Sequence, residues 1–307
     1  MRTLRLATRG SDLARTQSGA FADALQHATG VPSELVIIKT QGDRVQDVAL
    51  ADAGSIGLFT AEVQSALLDG RADYAVHSLK DLPAEQTAGL RCGAVPLRED
   101  SCDWLIVRPS AFEPARHELP IRAGSRVGTS AARRVAFCKA TDPACRPELL
   151  RGNVPTRVRK LAEGQYDAIL LAAAGLRRLG TDLSEFKVVP LPYTMWPGAP
   201  GQGALSIECR ADDDDTFGLL RTLHDPEAAL EIEAERTLLR ALGGGCGLPL
   251  GARAELIEGG IRLMAAFGPT PDRPGAPPLV RAEVEGADPA AVAAAAREVL
   301  LAPAGRP

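Results

Sequence analysis

Arginine side chains recur in this sequence at or just after the ends of predicted strands, where small residues leave backbone N–H groups exposed. The candidates are Arg9, Arg133, Arg134, Arg151 and Arg157. Guanidinium groups pair bidentately with carboxylates and phosphates, and helix N-termini attract anions electrostatically. A single arginine of this kind is usually an ordinary surface residue. Their repetition predicts a cleft that binds a ligand with several negative charges.

A carboxylate provides the second candidate for chemistry, in the segment Val76-His77-Ser78-Leu79-Lys80-Asp81-Leu82-Pro83. Asp81 follows a short buried strand pattern and precedes a turn that Pro83 fixes. A carboxylate in this position can stabilise a cation or transfer protons in a cleft. A structural interpretation is equally compatible with the segment, because Asp81 can instead pair with Lys80 or cap the turn.

The third candidate is a thiol in the segment Leu242-Gly243-Gly244-Gly245-Cys246-Gly247-Leu248-Pro249, directly after a helix pattern. A cysteine on such a bare backbone can act as a nucleophile or as a covalent attachment point. From these residues alone, a buried and inert cysteine is the simpler interpretation, because no histidine lies near Cys246 in sequence to activate it.

The elements that must position these side chains follow an alternating pattern. Short apolar runs alternate with helical patterns over the first two thirds of the chain, which predicts an α/β fold with parallel strands. The first cycle is a strand at Leu4–Thr8 and a helix at Asp12–Thr29. A second cycle begins near Arg126, where Thr129 or Ser130 is predicted to cap a helix that runs through Arg133 and Arg134. Asp225-Pro226-Glu227 predicts a further helix start, with Asp225 as the N-cap. Three strand-like runs and a helix at Pro289–Leu301 predict a small α+β unit at the end. Parallel sheets bind ligands at the carboxyl ends of their strands, where the arginines lie.

Composition and charge narrow the function classes. The chain is 45% hydrophobic and 24% charged, as in globular proteins, and its net charge of −4 argues against general nucleic-acid binding. The segment from Arg122 to Lys160 nevertheless carries eight arginines and two lysines against two acidic residues, a local net charge of +8.

No apolar stretch reaches the ~18 residues of a membrane span, and the N-terminus lacks an apolar signal region. We therefore expect a cytoplasmic protein with reduced thiols. The cysteines form no Cys-x-x-Cys pair and the histidines lie far apart, so we expect no metal site.

Several motifs, taken together and in order, resemble those of the porphobilinogen deaminase family. Two of them are Arg5-Leu6-Ala7-Thr8-Arg9-Gly10-Ser11 and Leu150-Arg151-Gly152-Asn153-Val154-Pro155-Thr156-Arg157. The other matching stretches are residues 70–83, 98–100, 128–134, 166–170, 200–204 and 244–246. Each motif is weakly specific by itself. The set extends from residue 4 to about residue 254 with the family's order and spacing, and as a set it is very specific.

The resemblance implies two domains of the type II periplasmic-binding-protein architecture, with the active site in the cleft between them, and a small C-terminal α+β domain. Domain 1 would comprise residues 1–101 with a returning segment at residues 203–221. Domain 2 would comprise residues 102–202. The C-terminal domain, residues 222–307, would carry the cofactor cysteine.

The resemblance also implies a transferase that condenses four porphobilinogen molecules head to tail, with release of ammonia, into the linear tetrapyrrole hydroxymethylbilane. Cys246 would hold a dipyrromethane cofactor through a thioether, and Asp81 would stabilise the cationic azafulvene and assist proton transfer. The five arginines would bind acetate and propionate groups, which explains a basic cleft in an acidic protein. The other residues implied in binding are Ser11, Gln17, Ser78, Lys80, Thr129, Ser130 and Gly152. The partner would be the substrate porphobilinogen, with no nucleic acid and no membrane, and the protein would be a monomer.

The sequence departs from the family pattern at two places. Well-known members carry lysines in a lid segment where this chain has Ile56 and Ala61. Ala131 and Ala132 replace a usual Ser-Leu pair before the paired arginines. We therefore expect the lid to contribute mostly by excluding water, whereas Asp81, Cys246 and the cleft arginines are retained.

Two other function classes fit parts of the sequence. A solute-binding or sensor protein uses the same two-domain fold, and an arginine cleft alone suits that role. Similarity of fold cannot distinguish a solute-binding protein from an enzyme. The presence of Asp81 and Cys246 distinguishes them, because both residues favour the enzyme. A nucleic-acid-binding protein is disfavoured, because the basic segment lacks interleaved aromatic residues for base stacking.

Overall fold

A computed structural model of the chain describes residues 2–40, 60–245, 247–270 and 279–302. The strands of these residues are β1 (Leu4–Arg9), β2 (Ser33–Ile38), β3 (Tyr74–Ser78), β4 (Leu90–Ala94), β5 (Asp103–Val107), β6 (Arg126–Thr129), β7 (Arg146–Leu149), β8 (Ala168–Ala172), β9 (Lys187–Leu191), β10 (Leu205–Arg210), β11 (Leu250–Ile257), β12 (Gly260–Phe267) and β13 (Val280–Gly286). The α-helices are α1 (Asp12–Thr29), α2 (Ala61–Leu68), α3 (Ala132–Thr141), α4 (Val154–Ala162), α5 (Ala173–Arg178), α6 (Asp214–Arg221), α7 (Pro226–Ala241) and α8 (Pro289–Leu301). Short 3-10 turns occupy Leu79–Asp81 and Pro109–Ala111.

Two five-stranded sheets share one winding pattern. The first has the order β2-β1-β3-β10-β4 and the second has the order β7-β6-β8-β5-β9. In each sheet three neighbouring strands pair in parallel, and a fourth, β10 or β5, lies antiparallel to both of its neighbours. The fifth strand, β4 or β9, therefore runs in the same direction as the first three. The sheets are therefore mixed and not purely parallel as the alternation predicted. In both sheets the antiparallel strand is the first one that follows a crossing of the chain from the other sheet. The predicted α/β class, with two units of like strand order, is confirmed.

The third sheet is a separate antiparallel meander, β11-β12-β13. Helices α7 and α8 pack on it around one apolar cluster that includes Leu238, Leu263 and Val292. Antiparallel strands with helices on one face constitute the small α+β unit that the sequence predicted.

Helix ends follow local sequence signals closely in most places. Asp225 caps α7 by accepting hydrogen bonds from the backbone N–H groups of Glu227 and Ala228, and Pro226 occupies the first helical position.

The prediction that Thr129 or Ser130 caps the helix carrying the paired arginines is wrong. The N-cap of α3 is Ala131, which offers no side-chain acceptor, and Thr129 Oγ1 accepts from the Ala131 N–H at 3.3 Å instead.

Two chain crossings connect the first sheet with the second, and they run side by side. The Glu99 N–H donates to the Gly203 carbonyl, and Arg98 Nε donates to the Gln202 carbonyl at 3.0 Å. A Cβ at Gly203 would lie 2.2 Å from the Glu99 carbonyl oxygen, so only glycine allows this approach. In the described ranges, no helix has the length and apolarity that crossing a bilayer requires.

Candidate active site

Asp81 lies half-buried in the 3-10 turn that directly follows β3. The turn is anchored at its start, because the Leu79 N–H donates to the Ala204 carbonyl at 3.1 Å and the Leu79 side chain is buried. Lys80 does not pair with Asp81, since its ammonium group donates to Gln202 Oε1 at 3.4 Å. Of the alternatives that the sequence left open, the ion pair between Asp81 and Lys80 is therefore not formed.

The charge state of Lys80 is set by its surroundings. Burial lowers the Lys80 pKa to about 8, and the nearby charges of Arg134 and Arg133 lower it further, while Asp81 and Asp103 oppose them. Asp81 follows a strand of the first sheet, whereas Asp103, Arg133 and Arg134 belong to the second, so Lys80 lies where charged groups of the two sheets meet. An anion bound here would favour the protonated ammonium form.

Arg133 and Arg134, in the first turn of α3, are both buried against the carboxylate of Asp103. Asp103 accepts at 2.7 Å from Arg133 Nη2 and at 2.7 Å from Arg134 Nη2. Burial opposes the ionised form of Asp103, but the two guanidinium charges outweigh it and hold the Asp103 pKa far below its usual range. The carboxylate therefore stays charged and fixes both guanidinium planes.

The remaining contacts of this pair are also internal. Arg133 Nη1 donates to the Pro197 carbonyl at 2.8 Å, and Arg134 Nη1 donates to the Leu170 carbonyl at 2.9 Å. The structure thus gives Arg133 and Arg134 an anchoring role that the sequence analysis did not foresee. Their contact with a ligand stays a prediction.

Asp103 itself was missed, although a signal existed. It begins a strand whose other residues, Trp104-Leu105-Ile106-Val107, are apolar, and a charge at the end of a buried strand needs a partner. Trp196 Nε1 donates to Asp103 at 3.1 Å and Gln202 Nε2 donates to it at 2.8 Å. Gln202 therefore joins Lys80, from the first sheet, to Asp103, from the second.

Arg151 and Arg157 flank the start of α4. Gly152 has φ +113°, and a Cβ there would lie 2.7 Å from Thr156 Cγ2, so the loop requires glycine. Arg157 Nε donates to the Gly152 carbonyl at 2.7 Å. Burial and the charges of Arg134 and Arg151 lower the Arg157 pKa to about 10, while Asp81 opposes them. Cations of the second sheet thus lie within electrostatic range of the carboxylate of the first.

Most of the remaining predicted residues lie at the carboxyl ends of parallel strands in the two five-stranded sheets. Arg9 is the last residue of β1, and Ser11 caps α1 by accepting from the Ala14 N–H at 3.4 Å. Ser78, at the end of β3, donates to Gln17 Oε1 at 3.3 Å. Thr129 is buried at the end of β6, and Ser130 follows it half-buried.

Cys246 and Ile56 lie outside the described residues, whereas Ala61 is the first residue of α2. The backbone before Cys246 takes positive φ angles of 96°, 55° and 144° at Gly243, Gly244 and Gly245. A Cβ on Gly244 would lie 3.1 Å from the Ala84 Cβ, so this loop approaches the segment that follows Asp81. In the part of the chain that the structure describes, no cluster of histidine, cysteine and carboxylate side chains has the arrangement of a metal site.

The matching family models and the relatives found by sequence agree on one family. A family model described as "Porphobilinogen deaminase, dipyromethane cofactor binding domain" matches residues 4–217, and one described as "Porphobilinogen deaminase, C-terminal domain" matches residues 229–296. A porphobilinogen deaminase of Brevibacillus brevis is 42% identical over 301 residues, which cover 97% of this chain and 94% of that protein. One of Syntrophobacter fumaroxidans is 44% identical over 263 residues, 85% of this chain and 83% of that protein. Among solved structures, a periplasmic substrate-binding protein from Coxiella burnetii is 13% identical with a TM-score of 0.46, covering 76% of this chain and 97% of that one.

Proposed function

The chain belongs to the porphobilinogen deaminase family, and we propose that Asp81 and the arginine loops carry out the family's reaction where the two five-stranded sheets face each other. The enzyme is a transferase that condenses four porphobilinogen molecules head to tail, with release of ammonia, into hydroxymethylbilane on a dipyrromethane primer. The observation that carries the residue assignment is that the Asp81 carboxylate, from one sheet, and the Arg134 and Arg151 cations, from the other, all lie within electrostatic range of Arg157.

The donor set fits a dipyrromethane group. Its acetate and propionate side chains are carboxylates. Burial, together with the charges of Arg134 and Arg151, lowers the Arg157 pKa to about 10, so a bound carboxylate is electrostatically favourable there. Arg151, Arg157 and Lys80 would hold these carboxylates, and Cys246 would form the thioether. When bound, the group supplies the free pyrrole position to which the first substrate unit is joined.

Asp81 acts on the charge that develops during condensation. Loss of ammonia from porphobilinogen leaves a cationic azafulvene, and the Asp81 carboxylate stabilises it by accepting a hydrogen bond from the pyrrole N–H. The same carboxylate can hold a proton that leaves the ring when the new bond forms. The proposed binding surface is completed by Arg9, Ser11, Gln17, Ser78, Thr129, Ser130 and Gly152, together with Arg133 and Arg134.

The finer features of the protein form part of the same proposal. The first domain comprises residues 1–101 and 203–221, the second comprises residues 102–202, and residues 222–307 form the C-terminal domain. The enzyme acts as a cytoplasmic monomer that binds neither nucleic acid nor membrane. The acidic net charge of −4 supports this, as do the free thiols of Cys92, Cys102, Cys138, Cys145 and Cys209.

The test combines the mass of the intact purified chain with turnover of porphobilinogen. We expect a mass above that of the sequence by a dipyrrole adduct, which is absent in Cys246→Ser and retained in the control Cys102→Ser. An unmodified mass in active protein would contradict the attachment. An adduct-bearing chain that binds porphobilinogen without releasing ammonia would favour a solute-binding protein instead.

A further inference from the structure

Arg236, on helix α7, contacts the turn that carries Asp81. Its Nη1 donates to the Leu79 carbonyl at 3.4 Å, and its Nη2 donates to the Ala84 carbonyl at 3.0 Å and also to the Pro83 carbonyl. These three carbonyls lie two residues before Asp81 and two and three residues after it. A single guanidinium group therefore holds both flanks of the turn.

Apolar packing joins the same two elements. Leu79 is buried in a cluster with Ala228 and Ile232 of α7, and Ile232 lies one helical turn before Arg236. A Cβ on Gly201 would lie 2.3 Å from Leu79 Cδ2. The chain segment that crosses back to the first sheet therefore packs directly against the turn. The Asp81 turn is thus fixed in position relative to α7 by both packing and hydrogen bonds.

Helix α7 leads directly to the glycine loop that precedes Cys246. The helix ends at Ala241, and the Gly244 N–H donates back to the Leu239 carbonyl at 2.9 Å. The Gly244 backbone also approaches Ala84, whose carbonyl Arg236 holds. One rigid element therefore contacts the catalytic turn and begins the loop that carries the proposed attachment cysteine.

Resting on the proposed function, we propose that Arg236 is a positioning residue that keeps the Asp81 carboxylate in fixed register with the Cys246 loop. It acts through backbone carbonyls and touches no reacting atom. Among the described residues no carboxylate forms an ion pair with Arg236, so its hydrogen bonds are directed to the turn. A lysine cannot reproduce this contact in full, because its ammonium lacks the planar fork that reaches several carbonyls at once.

The experiment is a double-mutant cycle in the cofactor-loaded enzyme, using Arg236→Gln, Asp81→Asn and the double variant. Misplacement of a reacting group by about 1 Å can lower a rate by about 10²-fold. We expect Arg236→Gln to lower kcat by about 10- to 100-fold with little change in KM, and to have little further effect in the Asp81→Asn background. Arg236→Lys is expected to recover part of kcat. Every condensation step should slow by a similar factor when the covalent intermediates are resolved by mass.

The control is Arg240→Gln, one turn further along α7, which removes a pair with Glu233 and leaves the turn untouched. Equal losses from Arg236→Gln in both backgrounds, or a rise in KM without loss of kcat, would overturn the positioning role. If Arg236→Gln does not load cofactor, the same cycle with Arg236→Lys decides the question. Absence of condensation in the unmodified enzyme would instead refute the proposed function, so the two failures are distinguishable.

Discussion

At the residue scale, the site places one carboxylate among several cations that come from different loops. Asp81 is half-buried in a turn held by backbone contacts, and Lys80 beside it is directed toward Gln202. The carboxylate is therefore available to a cationic ligand, while the cations nearby suit a ligand with anionic side chains. An azafulvene with acetate and propionate groups combines both charges, which agrees with this distribution.

We expect Asp81→Asn to retain the fold and the cofactor but to lower turnover by roughly 10²-fold or more. The amide keeps the shape of the carboxylate. It loses the negative charge that stabilises the cation, and it also loses the ability to take up a proton. Turnover is measured as the steady-state release of ammonia, and the mass of the intact chain shows whether the cofactor is attached. The matched control is Glu85→Gln, an exposed carboxylate four residues further along. Turnover close to normal in Asp81→Asn would mean that Asp81 is only a structural residue.

Lys80 should impose a pH dependence on stability. Burial is the main cause that lowers its pKa from the ordinary 10.5 to about 8 in the folded protein. Between pH 8 and 10 the unfolded chain therefore binds more protons at this residue than the folded chain, so the free energy of unfolding should rise with pH. Because other groups titrate in the same range, we compare the protein with Lys80→Met by chemical denaturation at each pH. A stability difference that stays constant from pH 7 to 10 would contradict the lowered pKa.

At the element scale, helix α4 separates two kinds of arginine. Arg157 lies toward the site, where burial and the charges of Arg134 and Arg151 lower its pKa. Arg159, two residues along, is exposed and pairs with Glu163 at 3.6 Å. The two side chains have the same chemistry and nearly the same place in sequence, so they form a matched pair for testing the cleft.

Arg157→Leu should weaken substrate binding by about one to two orders of magnitude, the value of one charge-assisted pair of about 1.5–3 kcal/mol. Arg159→Leu should change it little, since an exposed pair contributes at most about 1 kcal/mol and faces solvent. The measurement is KM for porphobilinogen, with covalent intermediates resolved by mass at limiting substrate.

We expect Arg151→Leu and Arg9→Leu to stall at different intermediates, because Arg9 contributes more to the later elongation steps. If all variants stalled at one intermediate, the cleft would act as a single patch of positive charge.

At the scale of the whole molecule, the geometry of the cleft depends on the two crossings between the sheets. Gly203 allows them to run in contact, and Gln202 connects the Ser101 carbonyl, Asp103 and Lys80 across them. The relative placement of Asp81 and the arginines is therefore set at this junction, and a local change there should affect both sheets.

Gly203→Ala should destabilise the protein more than Gly180→Ala. Both glycines have positive φ, 88° and 56°, so both substitutions carry a backbone penalty of about 1–2 kcal/mol. Only Gly203 adds a clash, with its Cβ 2.2 Å from a backbone oxygen, whereas nothing lies within 4 Å of a Cβ on Gly180. Denaturant unfolding of both variants measures the difference, which we expect to exceed about 1 kcal/mol. Equal losses would show that the crossing relaxes freely.

The sequence by itself determined the fold class, the order of most elements and the membership of a family. Alternating apolar patterns predicted the strands and helices, and Asp225-Pro226-Glu227 predicted the start of α7, because caps and periodicity depend on residues close in sequence. The motifs that name Asp81, Cys246 and the arginines were likewise readable from contiguous residues. The cap predicted at Thr129 or Ser130 was wrong, since tertiary contacts of α3 determine that helix start.

Only the tertiary structure decided which charges balance one another. Asp103 holds Arg133 and Arg134 from thirty positions earlier in the chain, and Arg236 reaches carbonyls more than 150 residues before it. The antiparallel insertion of β10 into the first sheet is equally remote in sequence. No local pattern encodes such pairings, because a buried ionic group is satisfied by whichever partner the packed sheets bring to it.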